Sequence, residues 1–144
     1  MNKILVCLDF TDITEAVIEE AIRFAKATEA DIELAYVSQV HTEKVTHVVS
    51  SENQKRLSLI LTKENKRMES YESDIRKAGV QCDSSILQGN VSDVLAEKAK
   101  TIGADYIIIG SRTTNAATHI IKGSVGADLL KKLKKPLLLV PAGD

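Results

Sequence analysis

Lys3-Ile-Leu-Val-Cys-Leu-Asp-Phe-Thr-Asp-Ile-Thr-Glu15 is the stretch whose reading decides the fold. Lys3 to Leu8 is a short apolar run without alternation, the pattern of a strand buried on both faces, and Asp9 ends it. Asp12-Ile-Thr-Glu15 then matches a capping box, in which the Asp carboxylate covers an orphan helix N–H and the Glu reaches back three residues. A helix is expected from there. Ile13, Val17, Ala21, Phe24 and Ala25 recur at three- and four-residue steps, with Glu15, Glu19, Glu20, Arg23 and Lys26 on the other side.

Further along the chain the alternation continues. Asp31 to Val37 reads as a second strand through Ile32, Leu34 and Tyr36, and Ser38 to Ser51 has no firm period and reads as loop. Glu52 to Lys77 predicts a long charged helix with Leu57, Ile60, Leu61, Met68, Tyr71 and Ile75 at helical spacing, ending at Gly79. Glu64 interrupts that stripe, so a helix packed on a sheet suits it better than a coiled-coil seam. Val80 to Leu87 is polar on alternate positions, as an edge strand is. Asn90-Val-Ser-Asp93 caps a third helix through Val91, Val94, Leu95, Ala99 and Ile102, with Gly103 as its stop. Ala104 to Gly110 is a fourth strand, Ser124 to Leu133 a last helix, and Leu137 to Val140 a fifth strand between Pro136 and Pro141. Strands alternating with helices require parallel neighbours joined by right-handed crossovers. The expected class is therefore α/β, a doubly wound five-stranded parallel sheet with strand order 3-2-1-4-5 and helices on both faces. Its switch point lies between strands one and four, where ligands bind such sheets. Asp9 to Thr11 and Gly110 onward would border that crevice.

At 144 residues, 44% hydrophobic and 27% charged, residues 1–144 read as one globular domain. A formal net charge of −1 provides no field to draw the chain to nucleic acid or anionic lipid. The longest apolar runs fall well short of the roughly 18 residues of a membrane span, and Met1-Asn-Lys3 leads into no signal-peptide core. The expectation is a cytoplasmic protein. Cys7 and Cys82 lie inside strands as small buried hydrophobes, and neither they nor His41, His47 and His119 have metal-ligand spacing. No metal is expected.

Gly110-Ser-Arg-Thr-Thr-Asn-Ala-Ala-Thr-His-Ile-Ile-Lys-Gly-Ser-Val125 joins the switch-point strand to a helix opening at Gly123-Ser124. Unpaired N–H groups and a partial positive charge collect at such a helix start, which suits phosphate. A glycine at the strand end would let a ligand approach the backbone. The alternative on geometry alone is a tight turn at Gly110 and an ordinary helix cap at Ser124. Asp9 likewise reads either as a ligand-facing acid or as a cap on the turn that follows it.

Ile4 to Asp9, Tyr36-Val37, Gly110-Ser111 after Ile107 to Ile109, Gly123-Ser124-Val125, and Lys135-Pro136 before Leu137 to Pro141 together resemble the universal stress protein family along essentially the whole chain. Gly110 and Gly123-Ser124 fit the spacing of that family's nucleotide-binding members, and Thr113 stands where the family carries a middle glycine. The resemblance implies ATP or AMP in the crevice. Asp9 would face the adenine edge and Val37 would offer backbone contacts to the base. Ile109, Gly110, Arg112 and Thr113 would lie along ribose and phosphate, and Gly123, Ser124 and Val125 would donate to phosphate. Thr113 places a β-carbon where the family has bare backbone, so the resemblance also accommodates a nucleotide-independent interaction protein. No general base, Walker motif or pair of acids for magnesium is spaced for catalysis, which argues against an enzyme. Leu137 to Val140 lies at an expected sheet edge, and a homodimer through strand five would cover it, as the resemblance also implies.

Overall fold

A computed structural model describes residues 2–38, 51–111 and 125–141. Their order is β1 (Asn2–Leu8), α1 (Thr14–Thr28), β2 (Ala30–Val37), α2 (Ser51–Lys77), β3 (Cys82–Leu87), α3 (Val91–Ile102), β4 (Tyr106–Ser111), α4 (Val125–Leu133) and β5 (Leu137–Pro141). The five strands form one sheet in the order β3-β2-β1-β4-β5. Every pairing is parallel, and β1 is the pivot: Ile4 stands opposite Ile32 on one side and Tyr106 on the other. This is the doubly wound sheet that the alternating pattern predicts.

The sheet is apolar on both faces because its strands are. One face buries Ile4, Val6, Ile32, Leu34 and Ile108 against Val17, Ala21 and Ala25 of α1 and Met68, Tyr71 and Ile75 of α2. The other buries Leu5, Cys7, Ala35, Val37 and Ile107 against Leu95, Ala96 and Ala99 of α3 and Leu129 of α4. Each fully buried aliphatic side chain contributes about 1.5–3 kcal/mol relative to exposure, so the central strands carry much of the stability.

Several boundaries differ from the sequence expectation. The capping box at Asp12 is not made: α1 starts at Thr14, and its N-cap Ile13 has no side-chain cap hydrogen bond. The chain has already turned by other means, with one Asp9 carboxylate oxygen accepting from the Thr11 N–H at 3.0 Å and from the Thr11 hydroxyl at 2.6 Å. Thr14 N–H then closes onto the Thr11 carbonyl at 3.1 Å. In α2 the fully buried residues Met68, Tyr71 and Ile75 lie in the C-terminal half, while Leu59 and Ile60 are exposed. β3 begins at Cys82 and β4 at Tyr106, each two residues after the expected start. Asp105 ties β4 to β1: its carboxylate accepts from Lys3 N–H at 2.9 Å and its N–H donates to Lys3 O at 2.8 Å. The α3 caps are as expected, with Asn90 accepting from Asp93 N–H and Gly103 left-handed at φ +66°. The loop assigned to Ser38–Ser51 lies, from residue 39 to 50, outside the described residues.

Candidate functional site

The switch point brings the C-terminal ends of β1, β2 and β4 together beside the start of α4. Cys7 and Ile109 are register partners across β1 and β4, and Leu8 and Tyr36 are the last pair of β1 and β2. Asp9 and Val37 each follow directly on that last pair. Val37 is buried, and with Cys7, Ile109 and Val125 it joins the apolar cluster on the α3/α4 face. Asp9 is exposed at the rim, with one carboxylate oxygen held by Thr11. This end of the sheet therefore sets buried apolar residues beside an exposed acid.

Gly110 has a different local reason from the one its sequence position suggests. A Cβ there would meet Ile13 side-chain carbons at 3.2 Å and Val17 Cγ2 at 3.1 Å, so its missing side chain lets α1 lie close on the sheet. Its backbone pairs with Val140 of β5. Arg112, Thr113, Gly123 and Ser124 lie outside the described residues, as do the three histidines.

The start of α4 is anchored from α3. Ser92 donates to Asp128 in the first turn of α4 at 2.9 Å, and Lys132 pairs with Asp93 one turn further on. Ser92 and Asp128 are 36 positions apart, so no local pattern announces them.

On the opposite side of Asp9 the chain builds an aromatic buttress that sequence reasoning missed. Phe10 is left-handed at φ +59°, a conformation that costs a non-glycine residue about 1–2 kcal/mol. Its ring stacks on Tyr36 with centroids 3.8 Å apart, and the Arg67 guanidinium lies 4.7 Å from its centroid. Those contacts offset the strain. Arg67 also donates to the Tyr71 hydroxyl, and Ser38 donates to Glu64 at 2.7 Å, so α2 grips the ends of β1 and β2. The Glu64 that interrupts the apolar stripe of α2 is thus explained. Burial first, then the hydrogen bond and charge of Glu64, push the Tyr36 phenol up to about 12. An aromatic immediately after the acid ending β1 is the one local signal of this buttress.

Neither sheet thiol is activated, Cys7 in β1 below the site or Cys82 at the start of edge strand β3. Burial pushes Cys7 and Cys82 up to about 12, and both are free. At neutral pH neither supplies a thiolate nucleophile. Among the described residues no group of three His, Cys, Asp or Glu is placed to hold a metal ion, and no described helix is long and apolar enough to cross a membrane.

Comparison with known proteins agrees with this geometry. Universal stress protein MJ0577 of Methanocaldococcus jannaschii is 26% identical over 152 residues, covering 96% of this chain and 94% of that protein. Its solved structure superposes with a TM-score of 0.75 over 99% of this chain and 97% of that chain. Universal stress protein YxiE of Bacillus subtilis is 25% identical over 145 residues, covering 96% and 98% of the two chains. Two structures of lower identity share the fold: the Archaeoglobus fulgidus universal stress protein in complex with dAMP, at 20% and TM-score 0.67, and an Arabidopsis thaliana family protein with AMP bound, at 19% and 0.65. They cover 97% and 99% of this chain, and 98% and 93% of theirs. Residues 1–141 match the universal stress protein family model, and with the sheet order and switch point described above this chain belongs to that family.

Proposed function

We propose that the protein is a cytoplasmic stress-response regulator that binds an adenine nucleotide, ATP or AMP, in the switch-point crevice and works as a homodimer through β5. What supports this reading is the buried cluster of Val37, Ile109 and Val125 at the switch point, with exposed Asp9 following directly on the end of β1. The dAMP and AMP held by two relatives of the same fold support the choice of ligand.

In this reading each group has a chemical task. The Asp9 carboxylate accepts from the adenine amino group, the Val37 main chain meets the base edge, and Ile109 supplies apolar contact to the ring. Main-chain N–H groups at Gly123, Ser124 and Val125 donate to phosphate along the positive end of the α4 dipole, and Arg112 adds a cation. A second reading, a nucleotide-independent interaction protein, rests on the β-carbon of Thr113 at the position where the family pattern has a glycine.

The experiment is direct. Purified protein is assayed for adenine absorbance and mass, then titrated with ATP and AMP in a thermal-shift measurement. Binding that is abolished in Gly123→Val supports the crevice; unchanged affinity in that variant moves the site elsewhere. Thr113→Gly should tighten ATP several-fold, since one obstructed backbone hydrogen bond is worth about 1 kcal/mol. No binding in the wild type together with gain of binding in Thr113→Gly identifies the second reading as correct.

A further inference from the structure

The N-terminal half of α2 carries a surface that neither the sheet nor the crevice uses. Leu59 is 62% exposed and its neighbour Ile60 38%. At about 100° per residue, these two share an arc of about 140° with Lys55, Arg56, Lys63 and Lys66, all exposed. Leu57, Leu61 and Met68 lie on the opposite side of the helix, the first two half-buried and Met68 buried. Between residues 51 and 67 only Glu52 adds an acid to the outward arc, because Glu64 is turned to accept from Ser38. None of the four cations has an ion pair among the described residues, whereas Arg67 lies over Phe10 and donates to Tyr71. A net charge of −1 for the whole chain therefore hides a local surplus of cations around two exposed apolar side chains.

We propose that this face of α2 docks peripherally on an anionic lipid bilayer, with Leu59 and Ile60 entering the acyl boundary and the four cations meeting lipid phosphates. Apolar side chains set among Lys and Arg on one face of a helix of low overall hydrophobicity are the pattern of an interfacial helix. The long Lys and Arg stems can lie along the apolar pair while their charged heads reach phosphate. Other occupants fit the same arc less well. A partner helix needs an apolar seam at three- and four-residue steps, and one turn either side of Leu59 stand Lys55, Arg56, Thr62 and Lys63. An extended peptide needs groove walls, which a convex helix face does not supply. Nucleic acid would use the cations and leave Leu59 and Ile60 without a role, and no aromatic ring stands on the arc to stack a base. Each cation at an anionic surface strengthens attachment about five-fold, and only within a Debye length, so docking is reversible and sensitive to salt. The proposal goes beyond nucleotide binding and the β5 dimer and depends on neither.

Vesicle co-sedimentation tests it. At low salt the wild type should pellet with phosphatidylcholine vesicles carrying about one-third phosphatidylglycerol, stay in solution with phosphatidylcholine alone, and be released by about 0.5 M salt. Lys63→Gln/Lys66→Gln should weaken attachment about twenty-fold, and Leu59→Ser/Ile60→Ser should weaken it too. Lys134→Gln/Lys135→Gln, which removes two exposed cations after α4, should leave it unchanged. The chain has no tryptophan, so Leu59→Trp places a single fluorescent reporter on the face, and its emission should shift to the blue with the anionic vesicles only. All these positions are exposed, so the variants should fold, which circular dichroism checks. A wild type that stays in solution with the anionic vesicles overturns the proposal, as does attachment that ignores both α2 double variants. Attachment without a blue shift also overturns it, and a short DNA duplex that then binds as tightly identifies nucleic acid as the occupant. ATP and AMP titrations of the same variants read the crevice separately, so failure of the docking surface leaves the nucleotide reading standing.

Discussion

The two edges of the sheet are built oppositely. At β3 the strand is polar and its exposed side is tended by α2: Arg76 donates to Cys82 O at 3.0 Å and pairs with Glu72 at 2.7 Å and Asp83 at 3.6 Å. Ser84 donates to Glu72, and on the other face Ser85 donates to Glu33, which Lys98 neutralises at 3.7 Å. At β5 there is a row of leucines instead, with Leu139 42% exposed. An unpaired edge invites another strand unless polar groups occupy its free backbone positions. One edge is closed within the chain, and the other keeps an apolar surface that a second copy would cover.

The largest expected effect comes from charging each edge in turn. Leu139→Lys should weaken the proposed dimer about 100-fold by placing an unpaired cation among leucines, whereas Asp83→Lys at β3 should leave self-association unchanged. Light scattering across a dilution series reads both. Equal effects at the two edges would erase the distinction.

A second test asks whether α2 closes β3 as well as the sheet centre is closed. Cys7 in central β1 and Cys82 in β3 are 5% and 3% exposed, and burial raises both thiols from 9.0 to about 12, with Glu72 adding to the effect at Cys82. The folded state favours the neutral thiol, so this contribution is complete below about pH 9 and is lost as pH rises toward 12. Urea midpoints should therefore fall above pH 9, by up to roughly 1.4 kcal/mol per pH unit for Cys7. Alkylation of the native protein at neutral pH should be equally slow at the two cysteines. Faster reaction at Cys82 would show that the β3 edge opens.

The smallest effect tests how much the polar cover contributes to stability. Arg76→Ala should cost about 1 kcal/mol or less in urea unfolding, because the guanidinium is half-exposed and its ion pairs are screened. The more telling readout is association. If the cover is what keeps β3 closed, this variant should begin to self-associate at concentrations where Leu138→Pro is monomeric.

The sequence by itself determined the element order, the parallel sheet, the strand order and the polar and apolar characters of its two edges. The elements and the edge characters follow from apolar periodicity and composition, and the parallel sheet and its order follow from their alternation under the right-handed crossover rule with helices on both faces. Asn90 and Gly103 were legible for the same reason, since a cap satisfies backbone groups within its own turn. Of the candidate site, topology pointed to Asp9 to Thr11 and Gly110 as the border of the crevice, whereas Val37 and Ile109 came from the family resemblance. Only the tertiary structure decided the rest. The start of α1 depended on Asp9 and Thr11 taking over the turn, and Gly110 owes its missing side chain to Ile13 and Val17. The buried residues of α2 lie in its C-terminal half, and its grip on the ends of β1 and β2 runs through Phe10, Tyr36 and Arg67. All but the Asp9–Thr11 contact join residues tens of positions apart. No local periodicity encodes them, because each depends on which side chains meet once the sheet has formed.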